Sequence, residues 1–374
     1  MNRVEVQISY ENLKHNLDLI KTITNNKTII CMVKDNAYGL GGVNIAKFLS
    51  NDSLVKAFAV ASFGEAMHLK SNDITKDIII IGHIFKDDYE EAILNDYILT
   101  VSTLDQAIQI NNFAKKHNKK ARIEIGIDSG MGRIGFNISE ETIKDIIKIN
   151  DLDNISIYGF FSHFPVADCN KDDINNIKWT DNQEKLFDEF IEKINSLGIN
   201  YTDISISNSA GILTNRGTKY SSVRPGIILY GLLPNNDFKN FDFKPIMQFK
   251  SRIIHIKEIN KDTSISYSRT FISKNKMKVA TVACGYGDGY PRSASNKTCV
   301  IINDKRCPVI GKVTMDMFMV DVTKVDCKVE DEVILIGESK NERVTIDEIC
   351  KLTGEFNYEL LTRINARVKR VYKD

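Results

Sequence analysis

A single lysine closes an apolar segment near the start of the chain, where its side chain could do chemistry. Lys34 follows the apolar residues 29–33, and Tyr38 comes one helical turn later, just before Gly39. An apolar run bounded by Asp, Asn and Gly is typical of a buried strand that leads into a loop. We therefore predict that Lys34 lies at one end of a sheet. A lysine there is more often a solvated surface residue, so a functional role depends on what accompanies it.

Polar side chains follow three later apolar segments in the same way. They are Arg133 in a glycine-rich turn, His163, and the pair Asn208 and Ser209, while Arg224 lies with Pro225 and Gly226 within an eighth segment. Catalytic groups of parallel barrels cluster just after the C-terminal ends of the strands, so we expect these residues to meet Lys34 at one face. The serine and the glycine would also suit a phosphate site made of backbone N–H groups.

A lysine beside a phosphate site indicates a phosphorylated aldehyde cofactor. Such a cofactor is held by a Schiff base to the lysine amine, so the sequence predicts pyridoxal 5'-phosphate. Burial and nearby cations would lower the pKa of Lys34 and favour the free amine. An arginine at the pyridine nitrogen would leave that nitrogen unprotonated, weaken the electron sink and favour return of a proton to Cα. No cluster has metal-ligand spacing, and no metal is predicted.

Eight strand-like segments alternate with helix-periodic segments in the first part of the chain. They are residues 28–33, 57–61, 77–81, 97–101, 122–127, 155–161, 204–207 and 222–229. Such alternation implies parallel strands joined by right-handed crossovers. Eight units within about 230 residues have the usual size of a closed (β/α)8 barrel.

The pattern changes after Pro234. Strand-like segments with short links follow, and helical periodicity returns only at 344–352; the segments are residues 245–259, 264–271, 278–284, 298–302, 306–310, 318–322 and 332–336. We therefore predict an α/β fold with two domains. The first, residues 1–236, is an N-terminal (β/α)8 TIM-like barrel that binds the cofactor. The second, residues 237–374, is a C-terminal mostly β domain.

Composition excludes several other classes of protein. The formal net charge is +1, which argues against a nucleic-acid partner. Seven cysteines occur without any C-x-x-C pair, which fits reduced thiols in a cytoplasm better than a disulfide framework. No apolar run reaches membrane-spanning length. We therefore expect a cytoplasmic protein with no membrane partner.

The order of these motifs resembles the alanine racemases, the barrel-type (fold type III) pyridoxal phosphate enzymes. The resemblance covers nearly the whole chain, although each motif alone is weak. In the first domain it is carried by residues 33–39, 128–135, 162–164, 208–210, 223–226 and 229–231. In the second domain it continues through residues 266–267, 285–292, 315–316 and 357–359.

The resemblance implies two catalytic groups on opposite faces of the substrate. Lys34 would carry the cofactor and act as the base on one face of Cα, and Tyr267 of the partner subunit would serve the other face. Racemisation needs both, because one group must remove a proton and the other must supply one to the same planar carbanion. Tyrosine with a pKa of about 10 is a poor base, so its environment must lower that value or share the proton through a neighbour such as His163.

The resemblance also implies a full set of binding residues and a homodimer with composite sites. Arg224 would donate to the pyridine nitrogen, and His163 would pack beside the ring. The cofactor-binding set is Lys34, Tyr38, His163, Asn208, Ser209, Arg224, Gly226, Ile227 and Tyr358. Substrate would be bound by Arg133 and by the backbone of Met315 of the partner subunit, with Asp316 in support. Tyr286 and Tyr358 would narrow the entrance, so a small side chain such as a methyl is expected.

One position departs from the family pattern. Many members carry a carboxylated lysine two residues before the Asp of the glycine-rich arginine motif, where its charge orients the arginine. This chain has Gly126 there. We hypothesise that a bound anion such as chloride, or water, takes the vacated space beside Arg133. Glu124 is a weaker candidate for the partner of Arg133; it lies two residues from Gly126 and therefore on the same face of the strand.

The implied activity is interconversion of L-alanine and D-alanine, which supplies D-alanine for peptidoglycan. Three alternatives remain at this point. A non-catalytic pyridoxal phosphate carrier would lack the second domain with Tyr267 and Met315. A barrel-type decarboxylase would need a different catalytic set in its β domain. A serine or broad-specificity racemase would need more room beside Tyr358.

Overall fold

The computed structural model describes residues 2–374. The chain divides into two compact units. One unit contains His15–Ala37 and Gly42–Phe243; the other contains the chain up to Lys14, Tyr38–Gly41 and Lys244–Asp374. The boundary expected after residue 236 thus lies near residue 243, and the first residues of the chain group with the C-terminal segment. We call these the barrel unit and the β unit.

The elements are numbered along the chain. The strands are β1 (Val4–Ser9), β2 (Thr28–Met32), β3 (Val55–Val60), β4 (Asp77–Ile80), β5 (Ile98–Val101), β6 (Ala121–Asp128), β7 (Phe136–Asn137), β8 (Ile155–Phe161), β9 (Asp203–Ser205), β10 (Ser222–Val223), β11 (Met247–Ile259), β12 (Ser264–Ile265), β13 (Phe271–Ile272), β14 (Met277–Val282), β15 (Cys299–Ile302), β16 (Lys305–Ile310), β17 (Phe318–Asp321), β18 (Glu332–Glu338), β19 (Arg343–Val344) and β20 (Lys369–Lys373). The helices are α1 (Tyr10–Ile23), α2 (Lys34–Tyr38), α3 (Gly42–Leu49), α4 (Phe63–Lys70), α5 (Tyr89–Leu94), α6 (Leu104–Lys116), α7 (Glu140–Asn150), α8 (Ile174–Ser196), α9 (Ser209–Leu213), α10 (Ile346–Thr353) and α11 (Asn357–Thr362). Within residues 2–374, none of these helices has both the length and the apolar character needed to cross a bilayer.

The barrel unit is built on eight parallel strands in the order β10-β2-β3-β4-β5-β6-β8-β9. This confirms the predicted architecture, and all eight predicted segments contain a strand. At the remaining seam, the Arg224 N–H donates to the Ser207 carbonyl over 2.9 Å. The short strand β7 pairs only with β6.

Strand β6 shows how the barrel divides its side chains. Ile123, Ile125 and Ile127 are buried and alternate with Arg122, Glu124 and Gly126. Successive side chains of a strand point to opposite faces, so the second set shares one face. Arg122 bonds Asp77 of β4 over 2.8 Å, which places this face inside the barrel. The interior is therefore partly polar.

The eighth strand is shorter than predicted. Only Ser222–Val223 pair with β2, and a 3₁₀ helix covers Ile227–Tyr230. Pro225 lacks a backbone N–H and can only accept, as its carbonyl does from the Met32 N–H over 3.1 Å. Gly226 then leaves the extended conformation with φ −119° and ψ −95°. The prediction of a strand over 222–229 is wrong for this reason.

The β unit is a nine-stranded sheet in the order β19-β18-β15-β16-β17-β14-β11-β1-β20. β1 pairs antiparallel with β11, with Val6 opposite Phe249, and parallel with β20, with Val6 opposite Arg370. The predicted continuous strand 264–271 is instead β12, a 3₁₀ helix and β13. Sequence patterns gave no indication of β20 or α11.

Candidate active site

Lys34 begins an unusual left-handed turn at the end of β2. Asp35, Asn36, Ala37 and Tyr38 have φ values of 52°, 54°, 53° and 55°. A left-handed helical conformation costs an L-residue roughly 1–2 kcal/mol, so neighbouring contacts must hold it. The Asn36 Oδ1 atom accepts the Gly42 N–H over 2.8 Å, and the Ala37 N–H donates to the Val33 carbonyl over 2.8 Å. These contacts fix the direction in which the chain leaves Lys34.

Glu65 supports the same turn from a neighbouring element. It is the third residue of α4 and forms a capping box with Ser62. Its carboxylate accepts the Ala61 N–H over 2.8 Å and the Ser62 N–H over 3.2 Å, and it also accepts the N–H of Asp35. The prediction missed Glu65, although Ser-x-x-Glu before a helix is a recognisable signal.

The surroundings of Lys34 favour its uncharged amine. Burial lowers the pKa of Lys34, and the positive charge of Arg133 lowers it further; Glu65 and Asp35 oppose this shift. Deprotonated lysine is the form that attacks an aldehyde. The environment therefore suits a lysine that forms a covalent link to a carbonyl cofactor.

Arg224 is the most deeply placed cation of the site, with 5% exposure. Its guanidinium donates to Ser205 Oγ over 2.5 Å and to the carbonyl of Ser162, and it lies 5.4 Å from the centroid of the Phe161 ring. Burial lowers the pKa of Arg224 to about 10, and Glu124 opposes that shift. Arg224 is thus a fixed, protonated donor at neutral pH.

His163 lies between Arg224 and Asn208. Its Nδ1 is 3.4 Å from the Arg224 guanidinium, and its Nε2 is 3.3 Å from the Asn208 amide nitrogen. Burial, with Arg224, Arg133 and Lys34 nearby, lowers the pKa of His163 to about 3. His163 is therefore neutral at physiological pH. The expectation that it could take up a proton shared by a tyrosine is not supported, because so low a pKa disfavours the imidazolium.

Two short helices begin side by side after the seventh and eighth strands. Asn208 caps α9 by accepting the Gly211 N–H over 2.9 Å, and Ser209 Oγ accepts the Gly226 N–H over 3.0 Å. Ile227 begins the adjacent 3₁₀ helix. The first turns of helices carry N–H groups without intrahelical partners, which suit a phosphate. This donor set, with the amine of Lys34 and the cation of Arg224, fits pyridoxal phosphate.

The surroundings of Gly126 differ from the expectation of a vacated space. A Cβ atom placed on Gly126 would lie 3.3 Å from two atoms of the Phe161 ring. Phe161 therefore fills space beside Gly126 that was assigned to an anion or water. The charged groups that act on Glu124 are Arg224, Asp203 and Lys56, so Glu124 is not the partner of Arg133 that we considered.

The remaining predicted residues lie in the β unit. Tyr267 is 72% exposed, Met315 54% and Tyr286 44%. Ser266 Oγ donates to the Lys312 carbonyl over 2.7 Å, and Lys312 Nζ donates to Ser268 Oγ over 3.2 Å. These bonds tie the Tyr267 segment to the segment that leads to Met315.

Asp316 belongs to an ion-pair network centred on Asp288, which is 1% exposed. Arg3 and Arg367 both pair with Asp288, over 3.0 and 2.8 Å, and Arg367 also pairs with Asp316 over 2.9 Å. Arg367 further lies 3.4 Å from the Met315 carbonyl. Sequence reasoning missed both arginines because they come from opposite ends of the chain.

Two tyrosines named for phosphate binding also meet in the β unit. The rings of Tyr38 and Tyr358 have centroids 6.1 Å apart, and Phe356 stacks on Tyr358 at 4.8 Å. The structure thus groups the predicted residues into two sets. The barrel unit holds Lys34, Arg133, His163, Asn208, Ser209, Arg224, Gly226 and Ile227; the β unit holds Tyr38, Tyr267, Tyr286, Met315, Asp316 and Tyr358.

The fold and the barrel site together define the class of barrel-type enzymes that depend on pyridoxal phosphate. Within that class, residues 8–234 match the family model "Alanine racemase, N-terminal domain", and residues 246–372 match "Alanine racemase, C-terminal domain". The chain belongs to the alanine racemase family.

Individual relatives match over almost their whole length. An alanine racemase of Clostridium novyi (strain NT) is 39% identical over 99% of this chain and 95% of its own. An alanine racemase of Methanococcus maripaludis is 35% identical over 98% of this chain and 97% of its own. The solved alanine racemase of Clostridium difficile 630 has a TM-score of 0.93 and 36% identity, and covers 100% of this chain and 96% of its own. The solved alanine racemase of Bacillus anthracis with bound L-Ala-P has a TM-score of 0.91 and 29% identity, and covers 100% of this chain and 96% of its own.

Proposed function

We propose that this pyridoxal phosphate-dependent racemase interconverts L- and D-alanine with Lys34 and Tyr267 as its two proton-transfer groups. The observation that carries the assignment to Lys34 is its environment at the end of β2, where burial and Arg133 lower its pKa. When bound, pyridoxal phosphate supplies an aldehyde for amines and a ring that withdraws electrons from Cα.

The barrel residues divide the work of holding that cofactor. Arg224 would donate to the pyridine nitrogen, since it is protonated and held by Ser205 and Ser162. An arginine keeps its own proton, so the ring nitrogen stays unprotonated. Neutral His163 would pack beside the ring without adding charge. The phosphate would lie at the N–H groups of Ser209 and Ile227, and the Gly226 N–H would exchange Ser209 Oγ for a phosphate oxygen. The family resemblance also assigns Tyr38 and Tyr358 to phosphate binding and Asn208 to cofactor binding.

The second proton-transfer group would come from another copy of the chain. Racemisation needs acid–base groups on both faces of Cα, and Lys34 serves only one. Tyr267 and Met315 are largely exposed, as residues that serve a neighbouring subunit's site must be before association. We therefore propose a homodimer with two composite sites related by a two-fold axis.

The site residues would recognise a substrate that has a carboxylate and a small side chain. Arg133 and the Met315 backbone would bind the substrate carboxylate, while Tyr286 and Tyr358 would leave room for little more than a methyl group. The relative from B. anthracis was solved with L-Ala-P, and that from C. difficile with cycloserine, both small amino-acid-like molecules. We propose a cytoplasmic enzyme that supplies D-alanine for peptidoglycan.

A coupled assay in both directions tests this proposal. Purified holoenzyme should convert L- and D-alanine, and turn over D-serine and D-lysine more slowly. Lys34→Ala should lose turnover and the visible absorbance of lysine-bound cofactor together. Equal rates on D-serine would make the protein a broader racemase, and bound cofactor without turnover of any amino acid would make it a carrier.

A further inference from the structure

Ionisable residues, most of them buried, cluster inside the barrel and include Arg224 of the site described above. Lys56 Nζ donates to Asp203 Oδ1 over 3.1 Å and lies 4.9 Å from the centroid of the Tyr158 ring. Glu124 is 1% exposed. It lies opposite Gly159 of β8, which has no side chain and lies opposite Asp203 of β9, so Glu124 faces Asp203 inside the barrel. The charges of Arg224, Asp203 and Lys56 act on it. We call Lys56, Glu124, Tyr158, Asp203 and Arg224 the barrel-core cluster.

The two carboxyl groups of the cluster are used differently. Asp203 pairs with Lys56 and accepts from the Ser222 hydroxyl. Arg224, in contrast, donates to a hydroxyl and to carbonyls, which are neutral acceptors. Among the charges that act on Arg224, Glu124 does most to raise its pKa. Glu124 is therefore the group that can balance the buried charge of Arg224.

Glu124 is also incompletely hydrogen-bonded. Among residues 2–374, no protein partner bonds its Oε1, nor the hydroxyl of Thr100, its cross-strand neighbour on β5. A buried carboxylate that lacks partners is costly, so burial favours the protonated form. Burial raises the pKa of Glu124 to about 8, although Arg224 and Lys56 favour ionisation. Its charge thus changes within the range in which enzymes work.

We propose that Glu124 is a positioning residue that acts on the reaction through Arg224, by setting the positive charge that Arg224 presents to the cofactor's ring nitrogen. The inference rests on the proposed function, in which Arg224 contacts that nitrogen. When Glu124 is neutral, the charge of Arg224 is uncompensated and withdraws more electron density from the ring. When Glu124 is ionised, it compensates that charge and α-proton removal becomes slower.

The other charged groups inside the barrel do not replace Glu124 in this role. Asp203 uses its Oδ1 for Lys56 and Ser222. Its Oδ2 has no protein partner among residues 2–374, but Asp203 raises the pKa of Arg224 less than Glu124 does. Asp77 of β4 is engaged by Arg122 of β6 over 2.8 Å. The titratable groups that act on Glu124 or the adjoining Tyr158 are Lys56 on β3, Asp77 on β4, Arg122 on β6, Tyr158 on β8, Asp203 on β9 and Arg224 directly after β10. Burial and nearby carboxylates raise the pKa of Tyr158 far above neutrality, so it stays protonated.

Glu124→Gln fixes this position in its neutral form and provides the test. We expect the ratio of kcat/KM for alanine, variant over wild type, to rise by at least about twofold between about pH 7 and pH 9.5. The absorbance of bound cofactor in the wild type should show a transition near pH 8 that the variant lacks. Glu141→Gln, at an exposed glutamate of α7, should follow the wild type in both readouts.

The apoprotein gives an independent readout. Folded Glu124 keeps its proton up to about pH 8, whereas an unfolded glutamate loses it near pH 4.3. Unfolding therefore releases a proton between these values, and stability falls as pH rises. The Tm of apo Glu124→Gln relative to the wild type should increase from pH 5 to about pH 8 and then level off.

The outcomes separate this inference from the proposed function. If the wild type does not racemise alanine, the proposed function fails. The wild type can racemise alanine while Glu124→Gln keeps the wild-type pH profile and cofactor absorbance and changes Tm by the same amount at every pH. In that case Glu124 is structural, and this inference alone fails. Should the variant not fold, Glu124→Asp must shift the wild-type absorbance transition. An unshifted transition, or none in the wild type, would overturn the inference.

Discussion

The side chain of Asn36 accepts the backbone N–H of Gly42 over 2.8 Å and so closes the left-handed turn that follows Lys34. Four consecutive non-glycine residues with positive φ form this turn, and Ala37 within it is fully buried. Strain of this kind persists where surrounding contacts enforce it, and it is concentrated at functional sites. The turn explains how a lysine at a strand end is aimed without a regular helix behind it.

Removal of that side chain should loosen the turn. We expect Asn36→Ala to lower the free energy of unfolding by about 1–2 kcal/mol, because it loses one hydrogen bond and places alanine in a conformation that asparagine tolerates better. Denaturant unfolding measures the change, and Asn150→Ala at the exposed end of α7 is the control. If the two variants are equally stable, Asn36 does not hold the turn.

The position that departs from the family pattern gives a second prediction. A lysine at Gly126 would press its Cβ against the Phe161 ring, 3.3 Å away, and that ring also lies beneath Arg224. Gly126→Lys should therefore cost about 1–3 kcal/mol of stability through overpacking and raise the KM for alanine. Thermal unfolding and steady-state kinetics measure these effects. Unchanged stability with a lower KM would show that the site still accommodates the family's lysine.

The buried carboxylate of Asp288 provides a third prediction. Asp288→Asn leaves Arg3 and Arg367 without their shared partner, and loss of such a pair should cost about 2–4 kcal/mol. Because these arginines also contact the carbonyls of Met315 and Asp316, the KM for alanine should rise more than kcat falls. Asp326→Asn, at an exposed position, is the control. A change in kcat alone would contradict this role for the network.

The low pKa of His163 makes a signed prediction for stability. Folded His163 stays neutral down to about pH 3, whereas an unfolded histidine binds a proton below about pH 6.5. Unfolding therefore takes up a proton in this window, and His163 makes the protein less stable as pH falls, by up to about 1.4 kcal/mol per pH unit. His163→Gln should flatten this dependence relative to exposed His68→Gln. Parallel pH profiles for the two variants would contradict it.

The sequence was sufficient for the barrel because buried parallel strands read as short apolar runs, and each of the eight predicted segments contains a strand, although the eighth is much shorter than predicted. Lys34, Arg133 and His163 were also placed correctly after strands, since their positions follow from strand order alone. Arg224 was expected within the eighth strand and instead follows it. The two compact units divide near residue 243, where the sequence predicted a boundary after residue 236. The alternation of β1 marks a strand but does not reveal that its partners, β11 and β20, lie at the other end of the chain.

Tertiary context decided the features that sequence reasoning missed. Nothing in the types of Asp35 to Tyr38 demands a left-handed turn, because no glycine stands among them. Glu124 was considered as a partner for Arg133, but its electrostatic neighbours come from strands far along the chain. Such neighbours meet because the barrel closes. A pattern of strands predicts that closure but not which side chains meet inside the barrel.

A mixture of two inactive variants tests whether each active site combines Lys34 of one subunit with Tyr267 of the other. Lys34→Ala and Tyr267→Phe should each lose racemase activity as homodimers. If each site combines Lys34 of one subunit with Tyr267 of the other, a mixed dimer contains one site in which both residues are wild type. After co-expression or subunit exchange, we expect recovery of about one quarter of wild-type activity, since about half of the dimers are mixed and each has one intact site. No recovery, with mixed dimers demonstrated by differential tags, would contradict catalysis across the subunit interface.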